Sequence, residues 1–262
     1  KSKILINRSK ILFKNSKDKK KVIGFVPIRG QRLDKFSNEF KKIGNKYLID
    51  WTLDNLLRSN LVSDVIISSP DEKVLKYIRS KKNKRLLAFK RAKSLAAMTV
   101  LLDTSISQAI SKFKKLRGFT PDYTLVSKLN CPFRNHMHID NSINTMQIFN
   151  LDVVIGVSTQ NKMYFNHNGK TLRPLRTYDK NLLQIDKRKK INIRVESEEL
   201  YADGGNFALY NNLSYKNFYN FKKLKIGHEI LDKLSAFEVG SEFEWMLAQN
   251  ISKNLKKFNK VI

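Results

Sequence analysis

The chain has 262 residues, 41% of them hydrophobic and 10% aromatic, which is enough apolar material for the core of one α/β domain. It carries 51 lysines and arginines against 23 aspartates and glutamates, and the net charge of +28 favours anionic ligands. No apolar run is long enough to span a membrane, and the single cysteine, Cys131, excludes an internal disulfide framework, so we expect a cytoplasmic protein.

The N-terminal segment differs in composition from the rest of the chain. Residues 1–21 contain many lysines around two short apolar runs. They are predicted to form a basic arm outside the folded part of the protein. The folded part is predicted to be a single domain spanning residues 22–262.

This domain opens with an apolar run from Val22 to Ile28, which is typical of a buried parallel strand. The loop after it is rich in cations, with Arg29, Arg32 and Lys35. It has neither the dinucleotide fingerprint nor the P-loop pattern. Because open α/β sheets bind ligands beyond the carboxyl ends of their strands, we expect this loop to bind a phosphate-bearing ligand. A surface loop that merely happens to be rich in arginine is the alternative.

The following segments alternate between helix-like and strand-like patterns. Helices are predicted after Gly44, from Pro70, over 100–115, from Ile139 and after residue 245, and strands at 64–69, 85–89, 122–127 and 151–157. A polar stretch at 162–193 contains a hairpin-like turn signal at 165–170 and predicts an excursion from the core. The alternation predicts an α/β fold, with a mostly parallel, Rossmann-like sheet and helices on both faces.

Two histidines, His136 and His138, follow the strand predicted at 122–127. No cysteine or carboxylate stands near them at the spacing of metal ligands. They are therefore predicted to be solvated loop histidines rather than part of a metal site.

Motifs between residues 22 and 252 resemble, in the same order, those of the acylneuraminate cytidylyltransferase family, which includes the CMP-sialic, CMP-pseudaminic and CMP-Kdo synthetases. The opening loop and the helix after it share these positions with the family: Pro27, Arg29, Gly30, Gly44, Leu48 and Ile49. Arg91 matches an arginine that lies by the nucleotide, and Pro132 and Arg134 match a Pro-Leu-Arg motif. Residues 203–207 are similar to the Asp-Ala-Gly-Gln-Phe of the pseudaminic branch, and residues 236–245 to an acidic motif that binds metal.

The resemblance implies the fold of the nucleotide-diphospho-sugar transferases. It also implies an enzyme that joins CMP from CTP to an acidic sugar, such as a sialic, pseudaminic or related nonulosonic acid, and releases pyrophosphate. The family arm corresponds to residues 160–195 and implies a homodimer. No membrane partner is expected, and no specific nucleic-acid binding is expected because the charge comes without a nucleic-acid motif.

The resemblance also implies roles for individual residues. It gives catalytic roles on the triphosphate to Arg29, Arg32 and Lys35, and it adds nucleotide contacts from Pro27, Gly30, Asn38 and Arg91. It assigns the acidic sugar to Lys128, Arg194 and Gly205. It gives Mg²⁺, the implied cofactor, to Glu238.

Two departures from the family pattern concern the chemistry. Lys128 stands where the family has a glutamine that contacts the sugar, and a lysine there can still pair with a carboxylate. Gly240 stands where the family has a second acidic ligand to the metal. The alternative to an active enzyme is therefore a catalytically altered or inactive relative that binds nucleotides or polyanions.

Overall fold

The computed structural model describes residues 20–31, 33–34, 37–97, 99–160, 165–174, 200–214 and 223–258. Its strands are β1 (Val22–Pro27), β2 (Lys42–Ile43), β3 (Lys46–Tyr47), β4 (Val62–Ser69), β5 (Leu86–Lys90), β6 (Tyr123–Ser127), β7 (Val153–Gln160), β8 (Phe165–His167), β9 (Leu172–Pro174), β10 (Leu200–Asn211) and β11 (Ile226–Ile230). Its α-helices are α1 (Leu48–Arg58), α2 (Glu72–Ser80), α3 (Leu102–Arg117), α4 (His136–Phe149) and α5 (Glu242–Phe258), and a 3₁₀ turn covers Ser94–Ala96. Within these ranges no helix is long and apolar enough to cross a membrane.

Seven strands form one sheet in the order β11-β7-β10-β6-β1-β4-β5. Neighbouring strands run parallel, except that β10 is antiparallel to both β6 and β7. β1 lies between two parallel neighbours and is buried along nearly its whole length, as its unbroken apolar sequence predicted. The mostly parallel α/β sheet predicted from the sequence is confirmed.

Helices cover both faces of the sheet. On one face α1, α2 and α4 bury apolar side chains that include Leu53, Ile78 and Ile143. On the other face α3 packs Ile106 and Phe113 against alternate residues of β1 and its neighbours. Side chains alternate between the two faces along a strand, so β1 contributes to both layers. The prediction that helices cover both faces of the sheet is therefore confirmed.

The C-terminal helix α5 packs away from these two layers, against the segment that precedes α1. Trp245 and Ala248 of α5 form a third cluster of buried side chains with Ile43, Leu48 and Phe133. Helix α5 is thereby held beside the segment between β1 and α1. The turn signal at 165–170 is also confirmed, since β8 and β9 pair as an antiparallel hairpin there. Residues 175–195 of the predicted arm lie outside the described residues.

The prediction that the two histidines lie in a solvated loop is wrong. Helix α4 begins at His136, three residues earlier than predicted, because the side chain of Asn135 caps it by accepting a hydrogen bond from the Met137 amide at 3.0 Å. His138 is only 16% exposed, and its ring nitrogens lie 2.8 Å from Glu229 and 3.0 Å from Asp232. Both carboxylates come from the distant part of the chain that α4 packs against.

The environment of His138 also changes its pKa. Burial opposes the charged form, but the hydrogen bonds and charges of Glu229 and Asp232 outweigh that effect and raise the pKa of His138. The imidazolium form can donate to both carboxylates at once, whereas the neutral ring has a single N–H. His138 therefore links α4 to β11 and to the turn after it.

Candidate functional site

A cleft of about 980 Å³ opens beyond the carboxyl ends of the parallel strands β1, β5 and β6. Residues 27–29 reach it from β1, Arg91 follows β5, and Lys128 follows β6. Segment 239–242 and Trp245 of α5 add a further wall. This is the edge of the sheet at which the sequence predicted a ligand site.

Arg91 is a buried cation in the lining of this cleft. Its side chain is 5% exposed, and its Nη2 donates a hydrogen bond to the Ile28 carbonyl at 3.3 Å. Its Nε is buried and has no hydrogen-bond partner within the described part of the chain. Burial, together with the charge of Arg29, lowers the pKa of Arg91. A buried guanidinium with an unused donor and a second cation nearby favours an anionic ligand.

Arg29 lies at the start of the basic loop and is partly exposed. Its Nη1 is 3.9 Å from the carboxylate of Asp34, which also lines the cleft. The next residue, Gly30, has a φ of +78°, and a β-carbon there would collide with Asp71, the N-cap of α2. The Gly30 carbonyl accepts hydrogen bonds from the Leu33 and Asp34 amides, each at 3.1 Å. Gly30 therefore shapes the turn that keeps Arg29 and Asp34 together.

The loop after β6 supplies the polar side chains of the next part of the cleft. The side chain of Lys128 is exposed, while its amide donates to the Asn206 carbonyl of β10 at 2.9 Å. The side chain of Asn130 donates to the carboxylate of Glu238, and its carbonyl accepts from the Val239 amide at 2.8 Å. Asn130 thereby connects the cleft to Glu238, the residue predicted to bind metal.

Beneath this loop lies Arg134, which is 2% exposed. Its guanidinium donates to the Ser127 hydroxyl at 2.6 Å and to the Gly205 carbonyl, and burial lowers its pKa to about 10. Gly205 belongs to an irregular stretch of β10, has a φ of +69°, and would collide with Leu231 if it carried a β-carbon. Gly205 therefore lies closely packed against Leu231 in the protein interior, and its contact with a sugar remains a prediction.

The acidic motif before α5 is only partly suited to Mg²⁺. Glu238 is exposed, and Glu244 does not replace the carboxylate missing at Gly240, because it accepts from the Gly240 and Ser241 amides at 2.7 and 2.8 Å and caps α5. Across the described ranges, no group of three or more His, Cys, Asp or Glu side chains is arranged to hold a metal ion. The residues fit Mg²⁺ only in the mode in which one or two carboxylates share it with substrate phosphates and water.

Five of the predicted site residues line the same cleft: Pro27, Arg29, Asn38, Arg91 and Lys128. Three others lie in neighbouring segments but are not among the lining residues: Gly30, Gly205 and Glu238. Arg32, Lys35 and Arg194 lie outside the described residues. The roles of all these residues toward a ligand stay predictions.

The sequence analysis missed other parts of the cleft. An apolar wall is formed by residues between β5 and the start of α3: Leu95, Ala96, Ala97, Val100 and Leu102. Ser37 and Asn130 add polar groups. Asn130 could have been found from its position two residues after Lys128 in the same loop.

The sheet order and the position of the cleft define an α/β fold of the nucleotide-diphospho-sugar transferase type. Several solved structures share it. The 4-diphosphocytidyl-2C-methyl-D-erythritol synthase of Anaerococcus prevotii matches with a TM-score of 0.63 and 13% identity, over 90% of this chain and 97% of the other. The 2-C-methyl-D-erythritol 4-phosphate cytidylyltransferase of Thermus thermophilus matches with a TM-score of 0.53 and 11% identity, over 87% and 98%.

A third structure is a CMP:2-keto-3-deoxy-manno-octonic acid synthetase, which was solved in complex with CTP. It matches with a TM-score of 0.62 and 10% identity, over 89% of this chain and 99% of the other. No sequence-family model and no curated protein sequence matches the chain. At these identities the likeness establishes the fold, and the chemistry has to be argued from the cleft.

Proposed function

We propose that this protein is a nucleotidyltransferase that joins CMP from CTP to an acidic sugar and releases pyrophosphate. The observation that carries the proposal is the buried guanidinium of Arg91, whose Nε has no hydrogen-bond partner among the described residues, beside Arg29 in a cleft at the carboxyl ends of parallel strands. A triphosphate would supply the anionic oxygens that these side chains lack. The three structural neighbours, all named as enzymes of cytidylyl transfer, support the same chemistry.

In this proposal the chain's own residues position the reactants and neutralise charge. Arg29 and Arg91 hold the triphosphate, together with Arg32 and Lys35 as predicted from the sequence. The sugar hydroxyl attacks the α-phosphorus of CTP, the bond from that phosphorus to the pyrophosphate oxygen breaks, and the cations stabilise the charge on both sides. Mg²⁺, held by Glu238 and the phosphates, would supply further neutralisation of that charge.

The acidic sugar is the finer part of the proposal. Lys128 is exposed in the cleft and can form an ion pair with a sugar carboxylate, a role that the sequence also predicted for Arg194. The net charge of +28 favours the approach of two anionic substrates at low ionic strength. The family resemblance adds a homodimer to the proposal, and the single cysteine adds a cytoplasmic setting.

A second candidate is a protein with the same fold that binds CTP or another polyanion without catalysis. Gly240 favours this alternative, because it removes one expected carboxylate and Glu244 is occupied with capping α5. The retained arginines of the cleft are compatible with both candidates. A measurement of turnover distinguishes the enzyme from the non-catalytic binding protein.

The test is pyrophosphate release by the purified protein with Mg²⁺, CTP and a panel of acidic sugars, with ATP, GTP and UTP as nucleotide controls. We expect release that requires both CTP and one of the sugars. Absence of release in every combination, together with CTP binding in calorimetry, would establish the non-catalytic candidate instead.

Turnover by a variant of a cleft residue tests whether the activity belongs to the cleft. Arg29→Ala should abolish turnover without unfolding the protein. The matched control is Arg79→Ala, which removes an exposed arginine that pairs with Glu72 on α2, away from the cleft. Full activity in Arg29→Ala would refute the role given to Arg29.

A further inference from the structure

A buried carboxylate lies immediately behind the cleft. Glu39 is 1% exposed, and its Oε2 accepts a hydrogen bond from the hydroxyl of Ser37 at 2.6 Å. Its Oε1 is buried and has no hydrogen-bond partner in the described ranges. Removing a carboxylate from water is costly unless its surroundings compensate. The position of Glu39 therefore needs a physical explanation.

The backbone of the segment that carries Glu39 is held against helix α1. The Glu39 carbonyl accepts a hydrogen bond from the amide of Ile49 at 3.1 Å, and the Lys41 carbonyl accepts from Leu48 at 2.9 Å. These are the first two residues of α1, and the N-cap residue Tyr47 supplies no side-chain cap. The backbone of Glu39 is thus hydrogen-bonded to the first turn of α1.

The pairing with Glu39 determines what Ser37 offers to a ligand. Ser37 lines the cleft, and its only hydroxyl hydrogen points to Glu39. A serine hydroxyl has one donor and two acceptor positions, so Ser37 can act toward the cleft only as an acceptor. Arg29, Arg91 and Lys128, in the same cleft, are donors only. Ser37 is therefore of opposite hydrogen-bonding polarity to the cations around it.

We propose that Ser37 determines specificity in this cleft by accepting a hydrogen bond from an O–H or N–H group of the bound nucleotide or sugar, and that Glu39 is the positioning residue that fixes this polarity. The inference rests on the proposed function and names a further requirement of the same site. A ligand group that is itself only an acceptor, such as a keto oxygen, would face the lone pairs of Ser37 without a proton between them. Sites that pair with a donor discriminate strongly against analogues that lack it.

Three groups of the substrates carry such a donor: the exocyclic amine of the base, the ribose hydroxyls and the hydroxyls of the acceptor sugar. Equilibrium binding and initial rates distinguish them. The probes are CTP, UTP, in which a keto oxygen replaces the amine, 2′-deoxy-CTP, and tripolyphosphate, which keeps the anionic charge and has no nucleoside. The variants are Ser37→Ala and Glu39→Gln, with Ser111→Ala and Glu72→Gln on exposed helix surfaces as matched controls.

We expect Ser37→Ala to weaken CTP binding, or to raise the KM for the sugar, about tenfold, the size of one lost hydrogen bond. Tripolyphosphate binding should not change. The analogue that lacks the relevant donor should bind the wild-type protein and Ser37→Ala equally well, which identifies the source of the donor.

Glu39→Gln separates a positioning role from a structural one. A glutamine amide can donate to Ser37 and so release its hydroxyl hydrogen toward the cleft. The preference for the donor-bearing ligand over its analogue should then fall while tripolyphosphate affinity is kept. An equal loss for every ligand, or an unchanged preference in both variants, would overturn the proposal.

The outcomes also separate this proposal from the proposed function. If the wild-type protein binds neither tripolyphosphate nor CTP, both are overturned. If it binds both ligands and turns over CTP, but Ser37→Ala behaves like Ser111→Ala with every nucleotide and sugar, only the role of Ser37 is refuted.

Discussion

Replacement of Arg91 by methionine should separate ligand binding from stability. The substitution keeps an unbranched side chain of moderate length and removes the charge from a position that is 5% exposed. Among the described residues the guanidinium makes one long hydrogen bond, at 3.3 Å, and its Nε has no partner. We therefore expect Arg91→Met to lose affinity for CTP without losing stability.

The expected changes in the free energy of unfolding and in the affinity for CTP follow from these contacts. An unpaired buried polar group costs about 1–3 kcal/mol, and one ordinary hydrogen bond contributes about 1 kcal/mol, so the free energy of unfolding should rise by about 0–2 kcal/mol, with a middle value of about 1 kcal/mol. For a chain of this size that is a rise in Tm of about 2–4 °C. A hydrogen bond between a guanidinium and a phosphate contributes about 1.5–3 kcal/mol, so CTP should bind about 10- to 150-fold more weakly.

Calorimetry measures the binding, and thermal unfolding without ligand measures the stability. The matched control is Arg85→Met, because Arg85 donates to the carbonyls of Ser63, Leu57 and Val62 at 3.0, 2.8 and 2.5 Å. That variant should lose about 3 kcal/mol of stability and keep its affinity for CTP. Wild-type CTP affinity in Arg91→Met, or a stability loss as large as that of Arg85→Met, would refute the assignment of Arg91 as an anion-binding residue.

Three further predictions concern the metal, the pH dependence and the strand irregularity. Gly240→Asp should lower the Mg²⁺ concentration needed for half-maximal pyrophosphate release by about tenfold, because it restores a carboxylate beside the proposed metal site. The fold should tolerate the aspartate, since the φ of Gly240 is not left-handed and a β-carbon there makes only an ordinary van der Waals contact. An unchanged Mg²⁺ requirement would contradict this prediction. The pKa of His138 is raised in the folded protein, so its stabilising contribution is complete below the ordinary value of 6.5 and is lost as the pH rises through the raised pKa. Denaturant unfolding should therefore show that the free energy of unfolding of the wild type falls between these two pKa values. His138→Gln should not show this fall, and His136→Gln is the control that should. Gly205→Ala should lower the free energy of unfolding, measured with denaturant, by about 3 kcal/mol or more, because the β-carbon adds strain at a left-handed φ and collides with Leu231. Wild-type stability in this variant would show that β10 relaxes there without cost.

The sequence predicted the elements of the sheet well because their signals are local. The unbroken apolar run of β1 is the pattern of a strand buried on both faces, and the structure places β1 between β4 and β6. The helix predicted after Gly44 is likewise confirmed as α1, which buries Leu53. The ends of elements were less well predicted, since the start of α4 depends on the side chain of Asn135.

The cleft was predicted in part. Arg29, Arg91 and Lys128 each follow a strand, and parallel strands bring their carboxyl ends to one edge, so these cations could be expected to meet. Their surroundings could not be read from the chain. The unpaired Nε of Arg91 results from burial between segments that are far apart in sequence, and composition carries no information on it.

The sequence by itself determined the fold class, the cation-rich loop after β1 and the edge of the sheet at which the cleft opens, because hydrophobic periodicity and the order of elements are properties of short stretches. Only the tertiary structure decided the state of individual polar groups. It made His138 a link between two carboxylates, Glu244 a cap for α5, and Glu39 a buried partner of Ser37. The physical reason is that the charge state and hydrogen-bonding polarity of a side chain depend on its partners and on its exposure to water, and packing brings those partners together from distant parts of the chain.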